Sequence, residues 1–413
     1  MASRKVPETK QEKLDLIYEN LAEVINPEII ESILDEGRNV KVYWGTATTG
    51  RPHCGYFVPA IKIAQLLHAG CDVTILLADI HGFLDNLKAP LELVEYRTEY
   101  YQHTIQAMLA AVGVRTEQLR FVKGSSYQKS ADYVMDVYRL CAVTSEHDAK
   151  KAGAEVVKQS TNAPLSGLLY PILQILDEEH LGVDVQFGGV DQRKLFTAAK
   201  EWLPKLGYKQ RAHIMNPMIP GLHGGKMSSS EEDSKIDLLD PPDVITRKIR
   251  KAEAAPRVVE GNGVLAFIEY VLLPAAELRG AREFRVARER DGLPPLVYTD
   301  VKQMHEDYRT DVLTPQLLKP AVAEAIVTLT APLRAAFAAD TTWQNIALQA
   351  YPPPKKKEKK VKDKGSHYPV RPKGGADAAK AEAEAEAGVV EAKKENETAV
   401  AAAEEAQKEA KAV

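Results

Sequence analysis

Apolar positions along the chain keep switching between two periods. Near the start Leu14, Ile17, Leu21 and Val24 recur at helical spacing and stop at Asn26-Pro27, which predicts a helix over residues 14 to about 25. A second short helix leads to Gly37. Residues 39–44 then read as a buried strand, a small-residue loop follows over 45–52, and an apolar helix runs from His53 to about Leu67. Further strands at 72–79, 119–122, 183–187 and 213–215 are interleaved with helices at 90–112, within 130–158, at 166–180 and at 192–206. That alternation predicts a Rossmann-like α/β fold with a doubly wound, mainly parallel sheet. From 237 to about 350 the pattern turns mainly helical, at 242–252, 263–273 and 315–339, with a strand pair at 283–289 and 296–298.

The helix at 166–180 is apolar on nearly every side, through Leu168, Leu169, Ile172, Leu173, Ile175 and Leu176, and so belongs in the interior. Yet Tyr170, Gln174 and Asp177 stand at i, i+4 and i+7 and share one face. Burying that stripe unpaired costs about 1–3 kcal/mol per group. Either neighbouring backbone supplies the partners, or a polar ligand does.

Composition changes the picture only modestly. A chain of 413 residues with 45% apolar content has room for two domains, and a net charge of −4 offers no global basic field for nucleic acid. Cys54, Cys71 and Cys141 form neither a disulfide framework nor a C-x-x-C metal site. The N-terminus has no apolar leader core and no run approaches the roughly 20 apolar residues of a bilayer span, so a cytosolic chain is expected. Beyond residue 352 comes KKKEKKVKDK and then an Ala/Glu/Lys-rich stretch that cannot bury a core, read as a disordered or intermittently helical tail.

The strand, loop and helix at 39–67 bring backbone N–H groups to the carboxyl edge of the sheet, where open α/β folds bind phosphate. The loop has neither G-x-G-x-x-G nor a P-loop lysine; it offers Thr46, Thr48, Thr49 and His53. An ordinary capped helix and a nucleotide site are both compatible with it. Downstream, residues 221–230 read GLHGGKMSSS, a glycine-rich loop ending in one lysine and three hydroxyls.

The order H-x-G-Y, then K-M-S-S-S one domain length later, resembles the signature pair of class I aminoacyl-tRNA synthetases. With Tyr43-Trp44-Gly45-Thr46, Gly188-Gly189-Val190-Asp191-Gln192 and Met215-Asn216-Pro217-Met218, the chain looks like tyrosyl-tRNA synthetases of the eukaryotic cytosolic type. The resemblance runs from about Leu14 to Pro352. It implies a Rossmann-like catalytic domain over 1–236, a mainly helical anticodon-binding domain over 237–351, and a tail over 352–413 outside the family core. It also implies a cytoplasmic homodimer that joins L-tyrosine to tRNA(Tyr), with ATP as substrate and Mg²⁺ accompanying the ATP; separately, Ser229 where a loop lysine is expected motivates a bound K⁺ that partly replaces the missing charge.

The resemblance assigns roles residue by residue. Tyr170, Gln174 and Gln192 would hold the ammonium and carboxylate of tyrosine, and Asp177 with Tyr43 its hydroxyl. A buried acceptor rejects phenylalanine; this enzyme type is itself the standard case of such rejection, about 10⁵-fold without an editing step. Thr46, Thr48, His53, Gly55, Gly189, Asp191, Lys226 and Met227 would bind ATP, with Asp191 on the ribose. His53, Tyr56, Lys226, Ser228, Ser229 and Ser230 would serve the chemistry. Two positions depart from the class pattern: Tyr56 replaces the second histidine of the first motif, and Ser229 replaces the second lysine of the other. Residues 287–295, where relatives place an anticodon-stacking aromatic, contain none. The rival readings are a tryptophanyl enzyme, a small H-x-G-H nucleotidyltransferase and a non-catalytic RNA-binding relic.

Overall fold

Val42, Tyr43 and Trp44 show how the chain is sorted: Val42 and Trp44 enter one core, while Tyr43 enters another, as the pleat of a strand requires. The computed structural model describes residues 6–85, 90–157, 164–222, 235–289 and 292–353. Six strands, β1 (Glu23–Ile25), β2 (Lys41–Ala47), β3 (Asp72–Ala78), β4 (Arg120–Lys123), β5 (Val185–Gly189) and β6 (Ala212–Asn216), form a sheet of order β1-β6-β5-β2-β3-β4. All neighbours are parallel except β1 and β6. The chain winds outward in both directions from β2, so the order reverses between β2 and β5. A crevice opens there at the carboxyl ends of the strands.

Helices Phe57–His68 and Leu91–Ala111 cover one face. Helices Ala131–Ala142, Ser166–His180 and Arg193–Trp202 share the second apolar core, with Met215. The helical region between 130 and 158 is two helices, the second being Glu146–Ala152.

The N-terminus departs from the helix expected over 14–25. The helix is Lys10–Tyr18, opened by a Thr9–Glu12 capping box, and Asn20 leaves it at φ 56°. Residues 23–25 instead pair with β6 as an antiparallel edge strand. The stop is tertiary in origin: the buried Lys62 ammonium donates to the carbonyls of Leu16, Ile17 and Glu19, satisfying the helix end.

The C-terminal part contains Pro242–Lys251, Gly263–Phe267, Leu273–Leu278, Val301–Arg309, Pro315–Ala339 and Thr341–Ala350. A π-turn, Ile268–Leu272, interrupts the helix expected over 263–273, and β7 (Phe284–Val286) pairs with β8 (Leu296–Tyr298). Contrary to the expectation from apolar runs, Pro315–Ala339 is long and apolar enough to cross a bilayer by length and composition. Its Leu318, Val322, Ile326, Leu329 and Leu333 lie in the main core, the stripe of a core-facing helix.

Candidate active site

The first wall of the site is the turn after β2. His53 caps it: its Nδ1 accepts from the Gly55 N–H at 3.2 Å, which places the proton of a neutral ring on Nε2. Its backbone bridges to Asp237, while Cys54 N–H donates to the Ile236 carbonyl at 2.8 Å. The chain following the lysine loop is thereby stitched to the H-x-G-Y turn. Tyr56 meets the His53 ring edge-on at 5.3 Å, and its hydroxyl lies 3.1 Å from Thr46 Oγ1. Burial pushes the Cys54 thiol far up, leaving a packed, protonated side chain rather than a nucleophile.

The second wall is the Ser166–His180 helix. Tyr170, Gln174 and Asp177 all line a cavity of about 670 Å³ at the switch point. Gln174 Nε2 donates to Gln192 Oε1 at 2.6 Å, and the Tyr43 hydroxyl donates to the Gln174 carbonyl at 3.3 Å. Gly188 permits the close approach of Gln192, since a Cβ there would fall 2.9 Å from the Gln192 side chain and 2.8 Å from Phe196.

Asp177 is the most constrained group of the site. Its side chain is fully buried, and Oδ1 accepts from Tyr127 OH at 2.7 Å, Gln128 Nε2 at 2.8 Å and Tyr133 OH at 2.8 Å. Oδ2 has no hydrogen-bond partner among the described residues. His81 Nε2 stands 3.9 Å from it, and burial lowers the His81 pKa to about 4, so that ring is neutral at pH 7. Burial raises Asp177 to about 7, against the opposing pull of the Gln128, Tyr127 and Tyr133 hydrogen bonds. One oxygen of this buried carboxyl group is thus left ready for a donor.

Tyr43, Thr46, His53, Gly55, Tyr56, Tyr170, Gln174, Asp177, Gly189, Asp191 and Gln192 all line this one cavity, drawn from segments up to 149 residues apart in sequence (192 − 43 = 149). Thr48 does not. It is fully buried, with its hydroxyl 3.4 Å from that of Thr98 and its backbone against Gly82, because the chain has turned inward past the end of β2. Lys226, Met227, Ser228, Ser229 and Ser230 lie outside the described residues, as does the tail from 354. The reading from sequence missed His81, Tyr127, Gln128 and Tyr133. Tyr127 and Gln128 follow β4 at the carboxyl edge of the sheet, which is the signal that could have found them.

A family model described as tRNA synthetases class I (W and Y) matches residues 35–331. The chain is 51% identical over 380 residues to a Saccharomyces cerevisiae protein named tyrosine–tRNA ligase, cytoplasmic, a match covering 90% of this chain and 96% of that one. A Gallus gallus protein of the same name is 53% identical over 346 residues, covering 84% of this chain and 64% of its own length. Among solved structures, the tyrosyl-tRNA synthetase of Archaeoglobus fulgidus complexed with L-tyrosine superposes with a TM-score of 0.73 at 34% identity, covering 79% of this chain and 99% of that one. The chain belongs to the class I aminoacyl-tRNA synthetases of the tryptophan and tyrosine group, and within them to the tyrosyl-tRNA synthetases of the eukaryotic cytosolic type.

Proposed function

We propose that the chain acts in the cytoplasm as a tyrosine–tRNA ligase, converting L-tyrosine and ATP to tyrosyl-adenylate and pyrophosphate and then passing tyrosine to the 3′ end of tRNA(Tyr). The observation that carries this reading is the unpartnered, buried Asp177 Oδ2 on a side chain that lines the cavity. A phenol hydroxyl supplies the missing donor. An indole N–H also donates, but Tyr43 beside Asp177 suits the smaller phenol. Tyr170, Gln174 and Gln192 then meet the ammonium and carboxylate, and Asp191 the ribose.

In the first step a tyrosine carboxylate oxygen attacks the α-phosphorus in line and the bond to the bridging oxygen of pyrophosphate breaks. The nucleophile is already an anion, so no general base is needed; the protein aligns two anions and stabilises phosphate charge. His53 and Thr46 act from one side, Lys226 and Ser228 to Ser230 from the other. Mg²⁺ enters with the ATP, as part of that substrate. K⁺ offsets the charge absent at Ser229, and equal adenylation rates in potassium and in a bulky organic cation at matched ionic strength would rule this out. In the second step the terminal ribose hydroxyl of tRNA attacks the activated carbonyl and AMP leaves.

Residues 1–236 form the catalytic part of this reading and 237–351 the anticodon part. Arg247, Arg250 and Lys251 are exposed on one helix and suited to phosphates, whereas Lys248 is paired with Asp240 at 2.8 Å. A symmetric homodimer is supported by Met135 and Tyr138, exposed apolar neighbours at i and i+3 of the Ala131–Ala142 helix that a second copy would cover.

ATP–pyrophosphate exchange with tyrosine, phenylalanine and tryptophan tests the reading: exchange is expected with tyrosine alone, and none with any amino acid in folded protein would overturn it. The pH dependence follows from Asp177. A phenol donating to Oδ2 favours the ionised form, so binding below pH 7 releases a proton and tyrosine KM falls as pH rises. The slope is at most about tenfold per unit and flattens above pH 7. A tyrosine KM that is flat from pH 5.5 to 8 would contradict it.

A further inference from the structure

Behind the hydroxyl end of the cavity lies a second buried carboxylate that this chemistry does not use. Glu178 and His213 are both fully buried, and Glu178 Oε1 lies 2.8 Å from His213 Nε2. Phe196 stacks on the imidazole, with centroids 4.7 Å apart and planes at 23°. Neither Glu178 Oε2 nor His213 Nδ1 has a hydrogen-bond partner among the described residues.

His213 also ends a row of polar side chains across the sheet. Strand register sets it beside Gln186, Gln186 beside Tyr43, and Tyr43 beside Thr74, and all four are buried. Side chains laterally paired on neighbouring strands share a face. That face is the one under the Ser166–His180 helix, since the Tyr43 hydroxyl reaches the Gln174 carbonyl and His213 reaches Glu178. Glu178 follows Asp177 directly and stands one turn beyond Gln174, so it sits at the root of both groups proposed to hold tyrosine.

A buried pair with two unsatisfied atoms is a poor source of stability, because desolvation offsets the attraction and apolar residues of similar size do as well or better. Its distinct physical effect is geometric. A directional bond near 2.8 Å sets the spacing and rotation of helix against strand more narrowly than methyl contacts do.

We infer that Glu178 and His213 are positioning residues for amino-acid selection: by tying the Ser166–His180 helix to β6, they set the distance across which Asp177 and Gln174 face Tyr43. The inference rests on the tyrosine reading above. The pair touches no substrate and acts through Asp177 and Gln174.

The test compares Glu178→Leu/His213→Leu with Glu178→Gln in pyrophosphate exchange and thermal melting. In the leucine pair tyrosine KM rises about tenfold and the tyrosine-over-phenylalanine preference falls about tenfold, because small misplacements are costly at such sites. ATP KM stays within about twofold and the melting temperature is unchanged or higher. Glu178→Gln, which keeps the hydrogen bond at nearly the same volume, stays within about twofold of wild type in all of these. Should the double variant fail to fold, Glu178→Leu alone serves for the same readings. An unchanged tyrosine KM and preference in the leucine variants overturns the inference, and so does an equal loss for tyrosine and ATP. Absence of tyrosine-dependent exchange in the wild type would overturn the tyrosine reading instead, which keeps the two failures apart.

Discussion

Replacing Asp177 by asparagine is expected to cut kcat/KM for tyrosine by about 100-fold or more while changing the value for phenylalanine by less than about threefold. The direction follows from the hydrogen bonds already in place. Tyr127, Gln128 and Tyr133 all donate to Oδ1, so the amide must keep its oxygen there. Its NH₂ is then forced into the position of Oδ2, the atom without a partner. An amide nitrogen can only donate to the phenol oxygen and cannot accept the phenol proton, which is left buried without the acceptor that Oδ2 supplied. Phenylalanine has no hydroxyl to lose.

Folding does not suffer in that variant. Burial outweighs the three hydrogen bonds and raises Asp177 to about 7, so the ionised side chain costs the unliganded protein stability at neutral pH, and a neutral amide removes that cost. Asp177→Asn should melt no lower than wild type. Pyrophosphate exchange with both amino acids, beside a melting curve, checks the pair of statements. A parallel loss for tyrosine and phenylalanine would mean that Asp177 supports the cavity without reading the hydroxyl.

His53→Asn is expected to lower kcat for adenylate formation by about 100-fold with tyrosine KM within about twofold of wild type. Asparagine can still accept from the Gly55 N–H, so the cap on the turn survives. What disappears is the Nε2–H donor on the cavity wall, whose proton is directed there by the bond at Nδ1. A donor that acts on charge developing at phosphate in the transition state affects kcat, whereas a structural cap would change binding and stability together. Single-turnover adenylate formation separates these outcomes.

Much of the fold is legible along the chain. The Ser166–His180 and Pro315–Ala339 helices coincide with their apolar runs, and the parallel strands β2 to β6 fall within a few residues of theirs, because burial on both faces leaves continuous apolar segments. The i, i+4, i+7 stripe of Tyr170, Gln174 and Asp177 places three side chains on one face by helix geometry alone. The H-x-G-Y and K-M-S-S-S pair identifies the class of chemistry, since each motif is a local arrangement of donors and needs no distant partner.

Long-range contacts account for the remainder. Nothing near Tyr18 says that its helix must end there; the reason is the Lys62 ammonium, more than forty residues on (62 − 18 = 44). Thr48 resembles its neighbour Thr46 in composition, yet the turn of the backbone past β2 buries it against Thr98 and takes it off the cavity wall. The partners of Asp177 come from a loop and a helix about fifty residues earlier (177 − 127 = 50), and those of Glu178 from the strand β6 beyond it. Hydrophobic period is a property of one segment and can be read from it. Satisfying a buried charge takes groups from several segments at once, and their meeting exists only when the sheet has closed over them.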